Sequence, residues 1–246
     1  MLTYLRVEIR RMFRNVRYLV FTLLMPVLLY VVFSKSAGDG GGAQVRGLPF
    51  TVYFMVSMAA YAGSLAATFT GGPRLALERV GGWTAQLRVT PLPTWGYLAT
   101  KAATALLLAL PSIALVALVA ALTNSIHLSA GHWLGFLAGV WLAVVPFAAL
   151  GIMIGYLLDP NSAQPVTVLS LLGLSILGGL FTPVEAMPRT MREIAHALPT
   201  YHLGDIGWRA VSGLAPTASD VAVLAAWAAA FAVVAGWRYR RAGVTV

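Results

Sequence analysis

Hydrophobic residues fall in six long blocks, at about residues 18–33, 48–70, 97–122, 133–158, 166–181 and 220–237. A helix needs about 20 apolar residues to cross a hydrocarbon core of about 30 Å, so the pattern predicts an all-α membrane protein with six transmembrane helices. The polar segments between the blocks are unequal. Residues 34–47 are a glycine-rich loop, 123–132 and 159–165 are short turns, and 71–96 and 182–218 are long. Before the first block, residues 2–17 place Leu2, Leu5, Ile9, Met12 and Phe13 at helical spacing, with Arg6, Arg10, Arg14 and Arg17 on another face. That pattern predicts an amphipathic helix lying at the membrane surface, against the plainer reading of a basic flank to the first span.

The segment 71–96 carries Arg74, Glu78, Arg79 and Arg88, with Lys101 just beyond it, in a chain that is only 10% charged. A helical piece is predicted over 74–87, ended by Thr90-Pro91. Residues 182–218 carry Met187, Met191, Ile194, Ala195 and Leu198 at helical spacing, bounded by Pro188 and Pro199, which predicts one amphipathic helix there. Gly178, Gly179 and Pro183 predict that the fifth helix breaks at its end. The fourth block holds two small-xxx-small pairs, Gly135/Gly139 and Gly151/Gly155, which allow close helix approach.

Composition sharpens the picture. The chain is 246 residues, 59% hydrophobic, with a net charge of +9 and no cysteine. Soluble domains are about 45–50% apolar and about 25% charged. The basic excess sits beside the apolar blocks, so it reads as orientation and contact with anionic lipid rather than nucleic-acid binding. With both termini in the cytoplasm, twelve Lys and Arg fall inside and five outside, in the sense of the positive-inside rule. The N-terminus shows no small-x-small cleavage site, so the first block is expected to stay as a span. The absence of cysteine excludes disulfides, thiolate zinc sites and a cysteine nucleophile.

Several chemistries are missing. Lys35 and Lys101 follow Ser34 and Thr100, so no phosphate-binding G-x-x-x-x-G-K-[ST] loop exists. No G-x-S-x-G occurs. His127, His132, His196 and His202 fall in outer segments or at span ends without metal-ligand spacing, so no metal is expected. All eight acids map to loops or span edges, which argues against an ion-coupled carrier. What the spans do offer is a stripe on the second one. Tyr53, Ser57, Tyr61, Ser64 and Thr68 recur at steps of four, four, three and four, sharing one helical face. Such a face either bonds to a neighbouring helix or lines a path. Thr167, Ser170 and Ser175 form a looser set on the fifth span.

Three stretches carry a resemblance to the permease subunits of type-2 ABC (ATP-binding cassette) exporters. LTYLRVEIRRMFRNVR resembles that family's connecting helix, LALERVGGWTAQLRVTPLP its coupling helix, and GGLFTPVEAMPRTMREIAHALPTYH its short re-entrant outer helices. The resemblance implies a single permease domain over 1–246, with 2–17 as the connecting helix, 71–96 as the coupling segment and 182–218 as the re-entrant segment. It implies no catalysis by this chain. Two cytoplasmic ATPase subunits would bind ATP and Mg, and a second copy or a sister permease would complete the pore. Glu78, Arg79 and Trp83 become candidate ATPase contacts, and Tyr53, Ser57, Tyr61, Ser64 and Phe181 candidate path residues. The plainer reading of Glu78 and Arg79 is a solvated ion pair worth at most about 1 kcal/mol. On the coupling reading, Glu78→Arg should leave insertion intact and uncouple hydrolysis from transport. The competing function is a non-transporting scaffold or sensor that recruits a cytoplasmic partner. The lack of intramembrane charge favours an amphipathic or apolar cargo such as a drug, an antibiotic or a lipid.

Overall fold

The computed structural model describes residues 23–38, 44–81 and 94–241. The expected surface helix over 2–17, the start of the first span and Trp83 lie outside the described residues. Among those described, the chain is almost entirely helical: α1 (Met25–Gly38), α2 (Phe50–Val80), α3 (Thr94–Asn124), α4 (Ala130–Ala143), α5 (Val145–Leu157), α6 (Pro160–Leu177), α7 (Arg189–Ala195), α8 (Pro199–Val211) and α9 (Ala218–Arg241). A 3-10 turn, Val184–Ala186, lies between α6 and α7, and a two-stranded hairpin, β1 (Gln44–Val45) with β2 (Leu48–Pro49), joins α1 to α2.

Among the described residues, four helical stretches are long and apolar enough to cross a membrane: α2, Leu98–Asn124 of α3, α4 with α5 taken together, and Ala218–Tyr239 of α9. α6 has 18 residues, about 27 Å of rise, but it opens on the polar PNSAQ. Its first turn is capped by Asp159, whose carboxylate accepts from the backbone N–H groups of Asn161 and Ser162 at 2.9 and 3.1 Å. Hydrogen bonds from Ser162 and Asn161 hold that carboxyl below the usual carboxylate range.

α2 is the central element. Of its most apolar window 89% is buried inside the protein, against 22% for α9. It packs chiefly on α3 and α5, with α1, α6 and α8 around it. The approach to α5 uses the small-xxx-small pair read from the sequence. A Cβ on Gly151 would stand 2.4 Å from the Thr68 carbonyl oxygen, and one on Gly155 2.6 Å from that of Gly71. The other pair faces α8, where a Cβ on Gly139 would stand 3.0 Å from Ile206.

Three expectations are corrected. The second span and the predicted helical piece after it are one helix, running through Gly71-Gly72-Pro73 to Val80. Gly71 is locked against α5 and Gly72 against Thr167 of α6, and that packing carries the helix past a proline that propensity alone would make a stop. The fourth span is two helices with a turn at Val144. Pro146 has no N–H to give the Leu142 carbonyl, and its ring crowds that carbonyl, so the helix restarts with Pro146 in its first turn. Finally, Pro199 opens a helix instead of closing the segment, so 182–218 holds α7 and also the buried α8.

Candidate functional site

The stripe on α2 is closed within the protein. Tyr53, Ser57, Ser64 and Thr68 are at most 1% exposed and Tyr61 is 7% exposed. Its ends reach across to other elements. Tyr53 donates to the carbonyl of Gly179 at 3.0 Å, and Thr68 to that of Phe147 at 3.1 Å. In the middle, Ser57 and Ser64 return their protons to the carbonyls of Tyr53 and Tyr61, at 3.0 and 2.9 Å. A serine satisfied by its own helix can face apolar packing or water with little change in hydrogen bonding. Bonding to another element therefore describes Tyr53, while Thr68 shares its proton between the Ser64 carbonyl of its own helix at 2.8 Å and that of Phe147. Ser57 and Ser64 keep the capacity to line a path.

The stripe is covered by aromatic rings from its Tyr53 end to its middle. Phe181 meets Tyr61 edge to face, with centroids 5.2 Å apart. Trp208 of α8 stacks on Tyr53 at 4.6 Å and 8°, and its indole N–H donates to the Tyr53 carbonyl at 3.1 Å. A pair of that geometry adds about 0.5–1.5 kcal/mol beyond its burial. The expected break after α6 is present: Gly179 has φ +86°, and the Leu180 N–H turns back to the Ser175 carbonyl at 2.9 Å. Trp208 was not legible as a site residue. Its segment reads as polar loop until Pro199 is taken as a helix start.

Beyond the seal lies a charged cluster. Arg46 and Gly47 form the tip of the hairpin with φ of +56° and +75°, the mirror-image turn that suits a two-residue hairpin. Glycine adopts that conformation freely, whereas arginine gives up about 1–2 kcal/mol there. The Arg46 side chain reaches Asp205 of α8 at 2.6 Å and Glu185 at 3.4 Å, and its guanidinium lies 5.1 Å over the Trp208 ring. Nearby, His202 bonds Asp220 at 2.8 Å through Nδ1 and the His196 carbonyl at 2.8 Å through Nε2. Asp220 lies in the first turn of α9, at the edge of a span as expected, and Asp205 lies on α8; the two are 2% and 5% exposed, a burial their positions did not reveal. Each is buried because a cation or donor from another element comes to it. Among the described residues no group of three His, Asp or Glu is placed to hold a metal ion.

At the far end of α2 two of the candidate coupling residues, Glu78 and Arg79, face inward. Lys101 of α3 is fully buried, with Nζ 2.7 and 2.8 Å from the two carboxylate oxygens of Glu78, and Arg74 stands 3.5 Å from the same group. Arg79 donates to the carbonyl of Gly155 at 2.8 Å and lies 5.5 Å over the Tyr156 ring. That carbonyl belongs to the last turn of α5, where helices leave acceptors unfilled and favour cations. The picture of Glu78 and Arg79 as a solvated pair with each other is therefore replaced. Glu78 ties α2 to α3 and Arg79 ties α2 to α5, so this end of the molecule is a three-helix clamp.

Comparison with known proteins agrees with this architecture. The chain is 29% identical over 236 residues to a protein of Bacillus subtilis (strain 168) named "Putative transport permease YvfS", covering 95% of this chain and 94% of that protein. The sequence profile described as ABC-2 type transporter matches residues 1–207, which include the stripe, the clamp and the Arg46 cluster up to Asp205. The chain belongs to the ABC-2 type transporter family.

Proposed function

We propose that this chain is the membrane subunit of an ATP-driven exporter, with six crossings and both termini in the cytoplasm. On this reading a separate ATPase binds ATP and Mg and pushes on the segment around Trp83. Two ATPase subunits and a second permease, either another copy or a sister chain, complete the assembly. The cargo is an amphipathic or apolar small molecule such as a drug, an antibiotic or a lipid, and the middle of the α2 stripe lines its path together with Phe181.

One observation carries the reading. α2 is a single helix of 31 residues, about 46 Å long, with the stripe over 53–68 and the clamp residues over 74–79. Glu78 and Arg79 bind it to α3 and α5 near its C-terminal end. A push delivered just past Val80 would move three packed helices as a body, and rigid movement of that kind is how switching domains transmit force. The clamp also changes the choice of test. Glu78→Arg would set a third cation against Lys101 and Arg74, so it would disturb the fold as well as the coupling. Trp83 is the better target.

The tagged chain, captured in mild detergent from its native cells, is expected to bring down an ATPase carrying G-x-x-x-x-G-K-[ST]. In the reconstituted pair, Trp83→Ala should lower the ATPase retained by several-fold while the melting temperature of the permease stays unchanged. The reading fails if no such ATPase is captured, or if Trp83→Ala retains it in full.

A further inference from the structure

We propose that Arg46 is a positioning residue for the sealed end of the α2 stripe: the hairpin is a strap across that end, and the Arg46–Asp205 ion pair is its clasp. The inference rests on the transport reading only in calling the stripe a path.

Four observations support it. The strap is anchored to α8 through its tip: the hairpin places Arg46 against Asp205 at 2.6 Å, with Glu185 at 3.4 Å as a second acid. The clasp sits directly on the seal, because the same guanidinium covers the Trp208 ring that stacks on Tyr53. Tyr53 in turn holds Gly179 by its hydroxyl, two residues before the Phe181 ring that closes on Tyr61. Arg46 thus bears on both ring pairs of the seal through Trp208 and Tyr53. The last observation is the backbone. Asparagine before glycine would suit this turn better than arginine, so the turn itself does not account for the residue. A side chain kept in an unfavoured conformation by its surroundings points to a role for that side chain. Opening the seal requires Trp208 to move from Tyr53, and Trp208 cannot move far while Arg46 bridges it to the hairpin.

The test uses the chain alone in detergent, without ATPase or cargo, so its outcome is independent of the transport reading. The protein has no cysteine of its own. Ser57→Cys places a thiol in the stripe one turn beyond Tyr53, and Ser112→Cys places a control thiol at a buried serine of α3. The probe is a water-soluble maleimide. Arg46→Asn keeps a favoured turn and removes the clasp, and Arg46→Asn with Asp205→Asn removes both charges of the clasp, so that no buried carboxylate is orphaned and only the half-exposed Glu185 loses its cation. Both variants are expected to speed labelling at position 57 about tenfold, which corresponds to about 1.4 kcal/mol lost from the closed state, and to leave position 112 unchanged. The proposal is overturned if labelling at 57 is unaffected in both variants. It is equally overturned if 57 and 112 speed up together, since the pair would then hold the whole fold and not the seal.

Discussion

Lys101 has no exposed surface, and its ammonium stands against both oxygens of a carboxylate 23 residues earlier in the chain. Removing one partner of such a pair costs about 3–5 kcal/mol, mostly from the charge left behind. Lys101→Met is therefore expected to destabilise the protein by about 3 kcal/mol, the low end of that range because Arg74 still faces Glu78. The exchange Glu78→Lys with Lys101→Glu should recover much of the loss. Thermal melting in detergent checks both, and a Lys101→Met protein that melts at the parent temperature would show the pair to be idle. The sequence shows these charges but not their burial. A lysine at the mouth of a span belongs in water unless a partner waits on the next helix, and that depends on how α2 and α3 lie together. Arg46, Asp205 and Asp220 escaped notice for the same reason. The stripe was legible because its spacing is a property of one helix alone.

At the level of helices, the glycine contacts decide where backbone can meet backbone. Gly151→Ala would drive its methyl group into the Thr68 carbonyl, and backbone cannot give way as a flexible side chain does. The expected loss is about 1–3 kcal/mol. Gly173→Ala, on α6, meets nothing within 4 Å and should be neutral or slightly stabilising, because alanine is the better helix former by up to about 1 kcal/mol. Melting the two variants side by side tests the contrast, and equal effects would refute the packing account. The small-xxx-small pairs gave both interfaces away in advance, though not their partners. Prolines were less readable. Pro73 and Pro111 lie inside continuous helices while Pro146 marks a break. Each lacks the same N–H, so the difference is made by the neighbours packed against each one.

At the scale of the whole molecule, burial among the described helices runs from α2 at the centre to α9 at the rim, yet both carry an apolar window long enough to cross a membrane. In water that gradient would show as a change in composition. Lipid is as apolar as a protein core, so the pattern of side chains names the spans without ranking them. The break at Val144 has a consequence on this scale. α5 is meshed with α2 and α9, whereas the chief neighbour of α4 is α8. One candidate crossing is thus shared between two sets of neighbours, and Val144 is expected to be the joint between them. A stroke of the central rod would then reach α5 more directly than α4. Amide hydrogen exchange should accordingly be faster at Val144, Val145 and Phe147 than at residues 150–155 of α5. Uniform protection through both helices would mean that the crossing moves as one stiff pole.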